Sequence, residues 1–336
     1  MNIKKIAYYP SYAGYLKNQA FNSAHPTNVT GNPDRWITLR DFLGKRGIEL
    51  NTYDMYGNKK EIDLWLFVDP GPRAFKFIFQ NRIPRKKLML MMGEPPVGNP
   101  RGWRYFRLYS WLFRIILTWN PELAGKGGKY AHWFFPISFD APKHERYRGN
   151  PKQNLCLMVH SNKTSEVSGE LYSFRREVIR YFEKRGDKLL DLYGYGWNDK
   201  NNHSPFFSDL YKGTTGDKLE TYSKYSFVFC IDNSVIPGYI TYDPFLAMAT
   251  GSVPIYLPMP DSLRYIPADT FVNLGEFKDN LDGLVRHLQS ITQNGEYEKM
   301  RERGWVFLNS DKFKPFTIEN FCEDVYAAIE KMAIQK

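Results

Sequence analysis

The sequence predicts an α/β protein made of two halves, each built on a mainly parallel sheet. Three observations carry this. Short apolar runs recur through both halves with helical or loop crossovers between them, which is the pattern of parallel strands. A polar, Pro-containing stretch, Phe139–Asn154, interrupts the pattern, which then restarts. A length of 336 residues suits two such domains better than one.

In the first half, Ile3–Tyr9 reads as a strand and Asp34–Lys45 as an amphipathic helix ended by Gly47. Strands are expected at Glu49–Tyr53, Asp63–Val68, Lys87–Met92, Ile115–Thr118 and His132–Phe135. After the break come strand Leu155–His160, helix Leu171–Lys184 and strand Leu189–Tyr193. A loop of some 20 residues, rich in Asn, Ser and Gly, follows, and then helix Asp217–Lys224. The stretch from Tyr225 to Pro260 is the most informative. Its run Phe227–Ile231 stops at Asp232-Asn233-Ser234, a helix starts near Thr241, Gly251 closes it, and Val253–Leu257 is a buried strand. Thr270–Leu274 and helices Asn280–Gln293, Glu296–Leu308 and Thr317–Met332 complete the chain. The expected domains are therefore 1–145 and 152–315, with a last helix, 316–336, open to packing back on the first domain. Ligands of parallel α/β sheets bind beyond the carboxyl ends of the strands, where Asp232, Asn233 and Ser234 sit.

The net charge of +10 favours an anionic partner. The charge reads as dispersed, with one cluster at Arg82-Ile-Pro-Arg-Lys-Lys87. No nucleic-acid recognition motif accompanies it, so nucleic acid is not expected as a partner, while a peripheral contact with anionic lipid stays open. Cys156, Cys230 and Cys322 are far apart and read as reduced, buried thiols. With no signal peptide and no apolar run of membrane-spanning length, the expected location is the cytoplasm, including the inner face of the membrane. Aromatic residues at Trp103–Tyr109 suit either an acceptor platform or plain packing.

Lys218–Ser234, Gly238-Tyr-Ile-Thr241 and Ala249-Thr-Gly-Ser-Val-Pro-Ile-Tyr256 together resemble the C-terminal signature of the α-1,3-fucosyltransferases, glycosyltransferase family 10. The match covers about a third of the chain and holds in order and spacing. Leu88-Met-Leu-Met-Met-Gly-Glu94 resembles that family's strand ending in its general-base glutamate. The resemblance implies a GT-B-like arrangement, two Rossmann-like domains facing across a cleft, which the pattern alone allows among several. It implies an inverting transfer of a sugar, fucose from GDP-fucose first, onto a glycan hydroxyl, with Glu94 as general base. Asn233 and Tyr239 match donor-binding positions. Ser161, Asn162 and Lys163, with Arg175 or Arg176 downstream, lie where small polar residues and cations could hold phosphate, and Tyr193 opens the Gly-rich turn of the donor half. No metal or other cofactor is expected, because the resemblance does not require one and there is no Asp-x-Asp pair.

Two departures stand out. The family's Glu-Lys after the Thr is Tyr242-Asp243 here, so an anion replaces the cation that meets the donor phosphates. Asp243 cannot take that role. No Arg follows the turn Tyr193–Asn198. Three readings remain open: a different nucleotide sugar, charge supplied from elsewhere (Lys163, Arg175, Arg176, Lys212 or His160), or a noncatalytic glycan- or nucleotide-binding module.

Overall fold

The computed structural model describes residues 2–24, 34–69, 71–152, 154–202, 204–259 and 261–334. The chain forms two compact units, 1–138 with 315–336, and 139–314.

Unit 1 holds a six-stranded sheet, all parallel: β1 (Lys5–Tyr9), β2 (Glu49–Thr52), β3 (Leu64–Val68), β4 (Leu88–Met91), β5 (Ile115–Thr118) and β6 (Tyr130–His132), in the order β2-β1-β3-β4-β5-β6. Strands β3, β4 and β5 are buried throughout, as apolar runs covered on both faces should be. The covering helices are α1 (Asp34–Gly44), α2 (Pro72–Gln80), α3 (Pro100–Tyr109) and the short α4 (Pro121–Gly125). One strand differs from expectation. The final strand of this sheet lies at Tyr130–His132, not His132–Phe135, because Ile116 pairs with Tyr130 and the chain leaves the sheet at Trp133. Trp133 is buried and packs on Phe135 and on Phe321 of α11 (Ile318–Ile334), which also meets Trp36 of α1.

Unit 2 repeats the plan with five strands. β7 (Asn154–Val159), β8 (Leu190–Tyr193), β9 (Tyr225–Cys230), β10 (Val253–Tyr256) and β11 (Val272–Asn273) are parallel in the order β11-β10-β9-β7-β8. Its helices are α5 (Ala141–Arg148), α6 (Tyr172–Arg185), α7 (Lys218–Ser223), α8 (Asp243–Ala249), α9 (Leu281–Gln293) and α10 (Glu296–Leu308). The stretch read as a linker, Phe139–Asn154, carries α5, with His144 and Tyr147 buried on it, so it does own a core face. Gly194 shows how tightly the strand ends meet. A Cβ there would lie 1.9 Å from the His160 carbonyl oxygen, and its φ is +136°, so glycine alone fits.

Both sheets share one connectivity. In each, the first strand has the second on one side and the third on the other. Crossovers leave it toward opposite flanks, which opens a crevice at the carboxyl ends of the first and third strands. In unit 1 this lies between β1 and β3, and in unit 2 between β7 and β9.

Candidate active site

In unit 1, the carboxyl ends of β1 to β4 surround a cavity of about 650 Å³. Tyr9 and Tyr53 line it with Asp69, Arg73, Glu94 and Arg101. Tyr9 and Tyr53 stack at 4.9 Å, which presents one flat aromatic wall. Glu94 is exposed and follows β4 by three residues.

The backbone around Glu94 is fully held. Asp69, one residue past β3, accepts hydrogen bonds through Oδ1 from the N–H of Gly93 (2.7 Å) and of Glu94 (2.9 Å). Trp119 Nε1 donates to the Gly93 carbonyl at 2.9 Å, and Trp103 Nε1 to the Glu94 carbonyl at 2.9 Å. Gly93 cannot be anything larger without displacing the carboxylate, since a Cβ would sit 2.8 Å from Asp69 Oδ2. Asp69 itself adopts φ +46°, a left-handed conformation that Asp tolerates better than most residues. The two prolines then turn the chain: the Pro95 carbonyl accepts from Gly98 and Asn99, and Asn99 caps α3 through Gly102 N–H. Burial, followed by the charge of Glu94, pushes the Asp69 carboxyl up to about 6, against the pull of its two N–H donors and Arg35. Among the described residues of this site the desolvated acid is thus Asp69, while Glu94 reaches the cavity from an exposed position. The aromatic run Trp103–Tyr109 goes mainly to packing: Tyr105 and Tyr109 lie on buried Phe75, and Trp103 is tied to Glu94.

In unit 2, the ends of β7 and β9 carry a network of charged side chains. Arg175, buried on α6, donates through Nε (3.0 Å) and Nη2 (2.5 Å) to the Ile231 carbonyl. Asp232 accepts from Thr241 Oγ1 at 2.6 Å, and its other oxygen is buried with no partner among the described residues. Burial pushes Asp232 up to about 7, with help from the charge of Asp243. Burial first, then the nearby cations Arg175 and Lys218, hold His160 well below its ordinary range, so its ring stays neutral.

Asp243 is not a lone anion. Lys218, at the start of α7, forms an ion pair with it, and Tyr222 donates to it at 3.2 Å. The Lys218 ammonium also lies 4.9 Å from the Tyr242 ring and 5.3 Å from that of Tyr222. Burial opposes both charges, yet the pair outweighs it: Lys218 is raised and Asp243 lowered. The anion at position 243 is therefore neutralised by Lys218, to which no role was assigned from the sequence. Its signal was its place in the matched segment, 25 residues before Asp243, where only the fold shows the proximity.

The other expected donor residues fall into two groups. Asn233 and Tyr242 are half-buried beside this network, whereas Tyr239 is buried at 6% exposure. Ser161 and Tyr193 are half-buried at the ends of β7 and β8, and the Tyr193 carbonyl accepts from His160 N–H. Asn162 works inside the protein: it is buried and its Nδ2 donates to the Gly196 (3.0 Å) and Ser204 (2.6 Å) carbonyls, stitching down the Gly-rich turn. Lys163 is exposed, and its carbonyl accepts from Arg176 at 2.7 Å. Lys212 pairs with Asp191 at 3.4 Å. Among the described residues no His, Cys, Asp and Glu cluster could hold a metal ion, and no helix is long and apolar enough to cross a membrane.

Two Rossmann-like units, each with polar residues at its switch point, define the GT-B class of glycosyltransferase folds. The model of the family described as glycosyltransferase family 10 (fucosyltransferase), C-terminal part, matches residues 150–326, more than half of the chain, and the chain belongs to that family. Human 3-galactosyl-N-acetylglucosaminide 4-alpha-L-fucosyltransferase is 32% identical over 140 residues, covering 40% of this chain and 35% of that protein. Rat 4-galactosyl-N-acetylglucosaminide 3-alpha-L-fucosyltransferase 9 is 24% identical over 227 residues, covering 65% of this chain and 52% of that protein. The matches thus span about a third to a half of the length of these relatives. An α1,3-fucosyltransferase solved with GDP-fucose shares the fold with a TM-score of 0.59 at 16% identity, covering 99% of this chain and 91% of that one. A glycosyltransferase from Rickettsia africae ESF-5 shares it at 0.55 and 11% identity, over 100% of both chains.

Proposed function

We propose that this protein is an inverting glycosyltransferase that moves fucose from GDP-fucose onto a hydroxyl of a glycan acceptor, with Glu94 as the general base. Membership of family 10 carries the reading, and the relatives named as fucosyltransferases support the donor. In unit 1 the acceptor sugar would lie against the Tyr9–Tyr53 wall, its reactive hydroxyl toward the Glu94 carboxylate. Glu94 would take the hydroxyl proton as the oxygen attacks the anomeric carbon. The bond to the diphosphate breaks on the opposite side, so the configuration inverts. An oxocarbenium-like transition state leaves positive charge on the sugar and negative charge on the departing GDP.

Unit 2 would hold the nucleotide sugar at the ends of β7 and β9. Lys218 would neutralise Asp243, so that position 243 does not repel the diphosphate; the Tyr242 ring lies beside the Lys218 ammonium, and Asn233 is a further expected donor contact. The donor and the acceptor glycan are the partners this reading requires. The test is acceptor-dependent release of GDP from GDP-fucose, beside a panel of other nucleotide sugars. Turnover of another donor in place of GDP-fucose would replace the donor but keep the glycosyl transfer. Binding of every donor without nucleoside diphosphate release would replace the enzyme by a binding module.

A further inference from the structure

Nearly all of the net charge of this chain lies in one stretch. Residues 72–114 hold ten Lys and Arg against a single acid, Glu94, while the rest of the chain holds 36 against 35. The charge that reads as dispersed along the sequence is concentrated on α2, β4, α3 and their connections.

The fold sorts this stretch by edge. Strands β4 and β5 are parallel, so Arg85–Lys87 and Arg114, which precede them, mark the amino edge of the sheet. Helices α2 and α3 run back between strands, so their carboxyl ends reach that same edge. Contacts agree: Phe79 at the end of α2 meets Tyr109 at the end of α3, ring centroids 5.8 Å apart. Lys129 donates to the Ser110 carbonyl at 2.7 Å, which ties the start of β6 to the turn after α3. Glu94 lies at the opposite, carboxyl edge.

Three large apolar side chains stand in water on this basic edge: Phe79 is 51% exposed, Leu108 59% and Trp111 58%. Around them, Arg82, Arg85, Lys86 and Arg107 are exposed and enter no ion pair among the described residues. A surface built only for solubility interleaves both signs, as the rest of this chain does. A nucleic-acid reader would be expected to pair such cations with a recognition motif, and the sequence has none. Arginines around Trp, Phe and Leu fit the headgroup layer of an anionic bilayer, where cations meet lipid phosphates and apolar tips reach the acyl boundary.

We propose that the edge of unit 1 formed by the ends of α2 and α3 is a peripheral docking surface for an anionic lipid bilayer. Phe79, Leu108 and Trp111 enter the headgroup layer, and Arg82, Arg85 and Arg107 meet its phosphates. The cavity beside Glu94, on the other edge of the same sheet, stays open to solvent.

The test is co-sedimentation of the full chain with vesicles of phosphatidylcholine alone or mixed with phosphatidylglycerol, at low and raised salt. Binding is expected on the mixed vesicles, falling as salt rises, and absent from the neutral ones. Replacing Arg82, Arg85 and Arg107 together by Glu should weaken it at least about tenfold, because each basic residue near the surface contributes. Leu108→Ser with Trp111→Ser should weaken it at unchanged charge. All five positions are exposed, so thermal melting and turnover of a soluble acceptor should not move. No sedimentation, equal binding to neutral vesicles, indifference to the triple substitution, or displacement from vesicles by a DNA or RNA duplex would each overturn the proposal.

Discussion

The two switch points share a topology and solve opposite problems. At the ends of β3 and β4, side chains hold the backbone: Asp69, Trp103 and Trp119 bond the N–H groups and carbonyls of Gly93 and Glu94, and the Glu94 carboxylate is left exposed on a cavity. At the ends of β7 and β9, side chains hold one another: Arg175, Asp232, His160, Lys218 and Asp243 share a desolvated region where each charge depends on its neighbours. A clamped backbone presents one group in a fixed place. A side-chain network instead sets a field, and it tolerates relocation of a charge if the partner moves with it. That is how Asp243 is accommodated.

The largest expected effect is therefore in unit 2. Lys218→Met leaves the largely desolvated Asp243 without its cation and with only the Tyr222 hydrogen bond, which should cost about 3–5 kcal/mol and lower the melting temperature by roughly 10 °C. Lys218→Met with Asp243→Leu should recover much of that stability in calorimetry, but not donor binding. If the single substitution were silent, the pair would not be the keystone of this network.

Next is the clamp. Asp69→Ala removes the acceptor for two N–H groups and should lower turnover more than donor affinity, with a stability loss of about 1.5–3 kcal/mol. Asp69→Asn keeps an acceptor oxygen and should retain more activity than Asp69→Ala. Equal loss from both would mean that the charge matters and the clamp does not.

A third prediction concerns pH. Asp69 and Asp232 have folded values near 6 and 7 against 3.8 ordinarily, so the folded chain binds protons that the unfolded chain has released. Their contribution is fully present below about 3.8 and declines as pH rises toward about 7. Asp232→Asn should flatten the upper part of that decline in denaturant titrations across pH. Trp103→Phe is the smallest change, losing one hydrogen bond to the Glu94 carbonyl, about 1 kcal/mol.

Much of the fold was legible because buried parallel strands are continuous apolar runs, as in Leu88–Met91 and Tyr225–Cys230. Helix α2 was not, because Phe75, Phe77 and Phe79 alternate as in a strand. Only the turn-forming Pro72 and the spacing of Ala74, Phe75 and Ile78 speak for a helix. At the candidate site, Glu94 and Asp243 were singled out by the family resemblance, Asp243 as a departure from it. Asp69 and Lys218 were not, since each acts on a residue 25 positions away and only strand and helix pairing brings them together.

The most direct measurement is acceptor-dependent GDP release by Glu94→Gln, with folding checked by thermal melting. A general base contributes about 10²- to 10⁴-fold, so turnover should fall by that factor while GDP-fucose still binds. Near-normal turnover by the folded variant would contradict the assignment of the base, and with it the catalytic role of the unit 1 cavity.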